Sequence, residues 1–269
     1  MVVDAFGQEH ARAAATARIV SLVPSITELL FDLDLGPQVV GRTGFCVHPR
    51  SEVRKLTKIG GTKDVNLDAI RALAPSHAIV NIDENNRETF DALNVFVPHV
   101  IVTHPNAPRD NLDLYRLLGD IFDRVEAARR LARDFEAALA SIARTCESLP
   151  AKSVLYLIWR KPWMTVSKDT YISRTLALVN WETLPRDSAA RYPSLSDDDI
   201  RELPIDLCLL SSEPYAFRDK HLDEVGRLVG ARENVRLIDG ELLSWYGSRA
   251  IEGIDYLARF AAASSEAEP

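Results

Sequence analysis

The segment IVSLVPSITELLFDLDLGPQVVGRTGFCVHP, residues 19–49, contains the pattern that decides the fold. A short apolar run leads into a proline and a serine, then into an amphipathic helix pattern, a glycine and a second apolar run. Ser25 is the predicted N-cap, with Leu29 and Leu30 on the buried side of the helix. The segment therefore predicts a strand, a helix and a second strand, the repeating unit of an α/β fold.

The same alternation continues through the first hundred or so residues. Helix patterns precede two further apolar runs, HAIVNI at residues 77–82 and HVIVTH at residues 99–104. Four strands separated by helices favour a parallel sheet covered by helices. We therefore predict an N-terminal α/β lobe over residues 1–108.

Residues 109–148 have a different pattern, with apolar residues at helical spacing and no proline. An unbroken helix over residues 109–147 would be up to about 58 Å long. Gly119 and Asp120 can interrupt it, so the alternative of two consecutive helices is kept. The α/β alternation resumes after Pro150 and predicts a C-terminal lobe over residues 149–269. The predicted fold is thus α/β, with two three-layer lobes of mainly parallel sheet bridged by a long α-helix.

Composition and charge exclude several classes of protein. Lys and Arg total 32 against 39 for Asp and Glu, a net charge of −7, which argues against nucleic-acid binding. No apolar stretch reaches the roughly 20 residues of a membrane span, so no membrane insertion is predicted. Three cysteines without a CxxC pair argue against a disulfide framework or a cysteine zinc site. We expect a monomer.

The first residues lack the basic and apolar regions of a secretory signal. The predicted location is therefore cytoplasmic if Met1 is the native start, and periplasmic if a leader has been removed.

Aromatic residues follow the predicted strands in both lobes. Ligands of open α/β sheets bind beyond the carboxyl ends of the strands, so these rings are expected to stack on a large, flat or apolar ligand. The predicted stacking residues are Phe45, Trp159, Trp163, Trp245 and Tyr246.

Polar groups are predicted to complete the ligand site. Arg160, Arg174 and Arg249 offer planar forks of donors for amide or carboxylate groups on the ligand. Ser25, at a helix N-terminus, would present backbone N–H groups.

Cys46 and His48 stand two residues apart, which raises the question of a metal site or a catalytic pair. No carboxylate or second histidine lies at a recognised metal-ligand spacing, so no metal site formed by the protein alone is predicted. His48 remains open as an axial ligand of a metal carried by the ligand, and Cys46 as a second contact. A Cys46–His48 hydrolase is kept as a third hypothesis, although nothing marks an orienting group or an oxyanion site.

Several motifs together resemble the cobalamin branch of the helical-backbone substrate-binding proteins, the receptors of ABC importers for cobalamin, ferric siderophores, haem and free metals. The motifs are SLVPSITE, FCVHP, GGTKD and SWYGSR, and the resemblance covers residues 2–260. It implies two α/β lobes that hold a ligand between them, joined by one long helix. It also implies one exposed glutamate on each lobe for docking to the permease: Glu213 in the second lobe, and Glu84 in the first, with Glu88 as its competitor.

The leading prediction is therefore a substrate-binding protein, not an enzyme and with no required cofactor, that clamps a corrinoid or related metal chelate for an ABC importer. Its partners would be the chelate and, if the protein is exported, the permease. His48 departs from the acidic or aromatic residues usual at this place in cobalamin receptors, which leaves room for a different chelate. The alternative is a cytosolic protein of the same fold that handles or senses a metal chelate.

Overall fold

A computed structural model describes residues 2–147 and 149–266. Position 148, where the predicted bridging segment ends, and the tail 267–269 lie outside the described residues. The chain forms two compact units. Unit 1 comprises Met1–Pro105, Arg109–Phe135 and Tyr246–Arg249, and unit 2 comprises Asn106–Pro108, Glu136–Trp245 and Ala250–Pro269.

Unit 1 contains a parallel sheet and a small antiparallel pair. The antiparallel pair is β1 (Val2–Val3) with β2 (Glu9–His10). The five-stranded sheet has the order β5-β4-β3-β6-β7. Its strands are β3 (Ile19–Ser21), β4 (Val39–Arg42), β5 (Thr57–Lys58), β6 (His77–Asn81) and β7 (His99–Thr103). Every residue of β3 and β6 is buried, as expected for central strands of a parallel sheet covered on both faces.

The first four helices of unit 1 lie between these strands in the chain, and the fifth follows β7. They are α1 (Pro24–Asp32), α2 (Arg50–Val53), α3 (Leu67–Ala72), α4 (Arg87–Asn94) and α5 (Asp110–Ile121). The predicted N-cap at Ser25 is wrong, because α1 begins at Pro24 and its N-cap is Val23, two residues before Ser25. Pro24 takes the first helical position, where its fixed φ fits the helix and its missing N–H is not needed.

The segment predicted as a bridge consists of two helices. After α5, residues 122–124 interrupt the pattern, and α6 (Val125–Thr145) follows. The interruption is at Asp123, with φ of 55°, and not at Gly119. Gly119 stays helical and allows close packing, since a Cβ there would lie 2.5 Å from Ala128 Cβ. The boundary between the two units falls within α6, so this long helix belongs to both.

Unit 2 repeats the α/β arrangement. A parallel sheet has the order β10-β8-β12-β13, and β9 pairs with β11 in a separate antiparallel ribbon. The strands are β8 (Lys152–Leu157), β9 (Trp163–Met164), β10 (Trp181–Thr183), β11 (Ser194–Leu195), β12 (Leu207–Ser211) and β13 (Val235–Ile238). The helices are α7 (Tyr171–Leu176), α8 (Asp197–Glu202), α9 (Leu222–Val229), α10 (Gly240–Ser244) and α11 (Arg249–Glu266).

The predicted fold class is confirmed: both units are α/β with parallel main sheets, and a long helix runs from one unit into the other. No helix in the described ranges combines the length and the apolar character that crossing a membrane requires.

Candidate functional site

The loops after the strands of unit 1 lie at one edge of its sheet, because the strands are parallel. The loop after β4 carries Phe45, whose side chain is 62% exposed, and Val47, which is also exposed. Ile82, directly after β6, is exposed as well. A Cβ on Gly61 would lie 3.3 Å from the Phe45 ring, so this glycine leaves room for the ring. Unit 1 therefore presents an apolar surface at the carboxyl ends of its strands.

Buried asparagines hold these loops in place. Asn85 donates from Nδ2 to the carbonyls of Leu22, at 3.3 Å, and Thr62, at 2.9 Å. Its Oδ1 accepts from the backbone N–H of Asn81 at 2.9 Å. One side chain thus ties the ends of β3 and β6 to the GGTKD turn. The sequence marks this role only as a polar cluster, NIDENN, after an apolar strand.

Cys46 is buried, and its thiol is hydrogen-bonded to other side chains of unit 1. Its Sγ lies 3.0 Å from Thr27 Oγ1 and 3.2 Å from Thr43 Oγ1. Burial raises the pKa of the thiol, and the hydrogen bonds with the two threonines oppose this only in part. The thiol therefore stays protonated near neutral pH, which does not favour a nucleophile or a metal ligand. His48 is half-buried. In the described ranges, no group of three or more His, Cys, Asp or Glu side chains is arranged to bind a metal ion.

Ser25 and Arg249 both lie in unit 1. Ser25 is buried in the first turn of α1. Arg249 donates to both carboxylate oxygens of Glu28, at 2.7 and 2.6 Å. The prediction from sequence did not include Glu28, although it is the last residue of the motif SLVPSITE. This pair connects α1 with the start of α11.

The segment before Arg249 is also anchored in unit 1. The Gly247 N–H donates to Asn111 Oδ1 at 2.6 Å, and Tyr115 Oη donates to the Gly247 carbonyl at 2.9 Å. Gly247 has φ of 88°, a conformation that favours glycine. The motif SWYGSR is therefore a packed turn whose last four residues belong to unit 1.

In unit 2, Trp159 follows β8 and is 40% exposed. The next residue, Arg160, forms a bidentate ion pair with Glu224, with Nη2 2.7 Å from Oε1. Lys161 has φ of 65°, and its turn returns the chain to β9. Trp159 is thus an exposed ring at the carboxyl end of a central strand, while the Arg160 charge is already paired within the unit.

The other predicted aromatic residues are buried. Trp163 Nε1 donates to Asp197 Oδ1 at 2.7 Å, and Trp245 Nε1 donates to Glu213 Oε1 at 2.8 Å. Tyr246 is buried as well. These rings fill the cores of their units, so Phe45 and Trp159 are the predicted stacking residues with most ring surface open to a ligand.

Arg174 lies in a polar cluster of unit 2. Its Nη2 donates to Asp169 Oδ1 at 2.7 Å, and its Nη1 to the Asn106 carbonyl at 3.2 Å. Arg191, which the sequence did not single out, contacts the same Asp169 at 3.3 Å and Asn106 Oδ1 at 2.9 Å. The two arginines therefore share partners at the N-terminus of α7.

The two glutamates predicted to dock to the permease were expected to be exposed, but both are half-buried. Glu84 is half-buried, and burial raises the pKa of its carboxyl group. Glu213 is also half-buried, and its Oε1 accepts from Ser244 Oγ and Trp245 Nε1, each at 2.8 Å. Glu88, in the first turn of α4, is exposed. The docking roles stay predictions.

Unit 1 has a cavity of about 570 Å³, and none of the predicted ligand contacts is among its lining residues. Val2–Val3, the end of β7 and one face of α5 line it. Its polar lining residues include Asp110, Asp113 and Asp120.

Comparison with known proteins shows the family of this chain. The family model described as "Periplasmic binding protein" matches residues 19–227. The chain belongs to this family, and the resemblance found in the sequence is confirmed.

Two curated relatives show the range of names in this group. A Bacillus subtilis (strain 168) protein named "Uncharacterized ABC transporter substrate-binding lipoprotein YvrC" is 25% identical over 264 residues, covering 95% of this chain and 83% of that protein. A "Vitamin B12-binding protein" of Pectobacterium carotovorum is 25% identical over 189 residues, covering 70% of this chain and 68% of that protein.

Solved structures support the fold. The periplasmic vitamin B12 binding protein BtuF of Vibrio cholerae superposes with a TM-score of 0.81 at 17% identity, covering 92% of this chain and 97% of that one. The periplasmic heme-binding protein RhuT of Roseiflexus sp. RS-1 gives a TM-score of 0.76 at 21% identity, covering 94% and 99%. At these identities the likeness establishes the fold alone.

Proposed function

We propose that this protein is a substrate-binding protein that binds a corrinoid, or a related metal chelate such as haem, and delivers it to an ABC importer. The observation that carries the proposal is an exposed aromatic ring at the carboxyl end of a strand in each unit: Phe45, 62% exposed, and Trp159, 40% exposed. Exposed rings of this size are suited to the flat face of a large chelate. Family membership and the names of the relatives support the same reading.

The proposal includes no chemistry on the ligand and no cofactor of the protein's own. Its family is a class of binding proteins. The buried, protonated thiol of Cys46 supports binding over a Cys46–His48 hydrolase. His48 is kept as a contact to the metal that the ligand carries.

The proposal places the protein outside the cytoplasm, with a permease as its partner. Curated relatives are named as ABC transporter and vitamin B12-binding proteins, which supports import over cytosolic handling of a chelate. For docking, Glu88 has the exposure that a charged contact needs, while Glu84 and Glu213 are half-buried. Reversing the charge of Glu88 should reduce import into cells and leave ligand affinity unchanged.

The test is a titration of the purified protein with cobalamin, haem and ferric siderophores, followed by Trp fluorescence and visible absorbance. Saturable binding of one of them at micromolar concentration or below is expected. If none of these compounds quenches the fluorescence or shifts an absorbance band, the proposed ligand class is wrong.

A further inference from the structure

Tyr215, in the loop after β12, packs beside the exposed Trp159. The two rings meet edge to face, with centroids 5.7 Å apart. Tyr215 is half-buried, and its ring also packs against Phe217 at 4.8 Å. Its backbone N–H donates to the Ile158 carbonyl, directly before Trp159, at 3.3 Å. The loops after β8 and β12 therefore present an indole and a phenol together.

His221 fixes the role of the Tyr215 oxygen. The backbone N–H of Arg218 donates to His221 Nδ1 at 2.9 Å, a shorter contact than the 3.2 Å from Nδ1 to the Arg218 carbonyl. An amide N–H can only donate, so Nδ1 accepts, and in the neutral ring the proton lies on Nε2. Nε2 is 3.3 Å from Tyr215 Oη. His221 is therefore the donor in this hydrogen bond, and the Tyr215 oxygen is the acceptor.

The contact with His221 leaves the Tyr215 O–H hydrogen for another acceptor. A phenol oxygen has two lone pairs and one O–H. With His221 donating to the oxygen, the O–H hydrogen points away from His221. The Tyr215 ring also contacts Trp159, Phe217 and His221.

We propose that Tyr215 is a ligand-contacting residue, whose O–H donates to a carbonyl or carboxylate oxygen at the edge of a flat ligand that Trp159 contacts through its ring. The inference rests on the proposed function and adds a polar contact to it. Corrinoids carry amide groups at their edge and haem carries carboxylates, so both offer an sp² oxygen acceptor. His221 acts as a positioning residue, because it occupies one lone pair of the Tyr215 oxygen and turns the O–H away from itself.

The test compares Tyr215→Phe with the wild-type protein, using cobalamin and haem as probes. Loss of one hydrogen bond to an amide should weaken binding about 3- to 10-fold, and loss of one to a carboxylate about 10-fold or more. Tyr256→Phe is the matched control in unit 2, since it removes a hydroxyl that accepts from the Asp239 N–H at 3.1 Å. The control should lower the melting temperature without changing the Kd of either probe.

The outcomes separate the inference from the proposed function. An unchanged Kd for Tyr215→Phe overturns the inference alone, whereas a wild-type protein that binds neither probe overturns the proposed function. Metal-free protoporphyrin should show the same fold loss as haem, because the two share the edge carboxylates. A loss seen only with haem would mean that Tyr215 binds the iron, and the edge contact would be wrong.

A second measurement covers the case in which Tyr215→Phe does not fold. Iron etioporphyrin has the plane of haem without oxygen atoms at its edge. Wild-type protein should bind it about 10-fold or more weakly than haem. Equal Kd values for the two porphyrins would overturn the inference without any variant.

Discussion

At the scale of single residues, the Glu28–Arg249 ion pair is well shielded from water. The side chains are 17% and 13% exposed, and the contact is bidentate. Removing one partner of a shielded pair leaves the other charge in the protein without its counter-charge. The resulting loss in the free energy of unfolding is larger than the net stabilisation that the intact pair provides. The pair therefore constrains both residues strongly.

We expect Glu28→Gln to lower the free energy of unfolding by about 2–3 kcal/mol, less than for a fully buried pair. Asp113→Asn is the matched control, because the Asp113–Arg116 pair is 75% and 71% exposed. It should cost less than about 0.5 kcal/mol. Urea denaturation measures both, and similar losses for the two variants would contradict the prediction.

His77 gives unit 1 a sensitivity to acid. Burial, and then the positive charges of His99 and His10, lower its pKa from 6.5 to about 4. Between these values the unfolded chain binds more protons than the folded one, so stability falls as the pH decreases through this window. The loss should reach at most about 3 kcal/mol.

Urea denaturation at pH values above and below this window measures the acid effect. His77→Leu should make the free energy of unfolding less dependent on pH. His99→Gln should reduce the dependence only in part, because it removes one of the causes and leaves burial unchanged. A His77→Leu protein with the pH dependence of the wild type would refute the assignment.

Residue-level roles were the part least predictable from sequence. The sequence placed Phe45 and Trp159 after apolar strands, and both rings are exposed in the structure. It could not separate them from Trp163 and Trp245, since burial depends on partners such as Asp197 that are distant in sequence. Tyr215 was missed because its neighbours only meet in the folded protein.

At the scale of elements, the turn between α10 and α11 depends on Gly247. Its φ is 88°, and a Cβ there would lie 3.3 Å from both Leu29 Cβ and the Ser25 carbonyl oxygen. Gly230, the C-cap of α9, has φ of 79°, and a Cβ at that position would meet no atom within 4 Å. The two glycines share the backbone conformation and differ in packing.

Gly230→Ala should therefore cost about 1 kcal/mol from backbone strain alone. Gly247→Ala should cost about 2 kcal/mol, because steric crowding against α1 adds to the same strain. Thermal and urea denaturation of both variants provide the comparison. If the two variants lose the same free energy of unfolding, the neighbours of Gly247 move to accept a methyl group, and the predicted steric cost is wrong.

Strands within longer apolar runs were predictable, and isolated short strands were not. The strands β3, β4, β6 and β7 lie in the apolar runs described from the sequence, because buried parallel strands have continuous apolar sequence. The strands β5, β9, β10 and β11 have two or three residues each, too few for a periodic signal. Their formation depends on pairing with neighbours in the fold.

At the scale of the whole molecule, each unit presents one of the exposed rings on which the proposed function rests. Phe45→Ala and Trp159→Ala should each weaken binding of cobalamin or haem about 10-fold, because each removes most of an aromatic contact surface. Phe6→Ala is the control, since Phe6 is 47% exposed and packs on Phe90 instead. Titration by visible absorbance measures all three, and a ring whose removal leaves the Kd unchanged is not a ligand contact.

The overall architecture was the most predictable property, because it depends on the order of apolar runs and not on individual contacts. The two α/β lobes and the long helix follow from the alternation of patterns along the chain. The bridge itself was less predictable: the sequence allowed one helix or two, and the break falls at residues 122–124 because Asp123 takes a left-handed conformation there.

The return of Tyr246–Arg249 to unit 1 has a consequence for dissecting the gene. A fragment that ends at Phe135 contains every strand of the unit 1 sheet, yet it lacks Gly247 and Arg249, the partners of Asn111, Tyr115 and Glu28. Expressed alone, such a fragment should be less stable than unit 1 in the whole protein, because it lacks these contacts. A fragment that joins residues 246–249 to the first 135 residues through a linker should regain them, since unit 1 is built from separate stretches of the coding sequence.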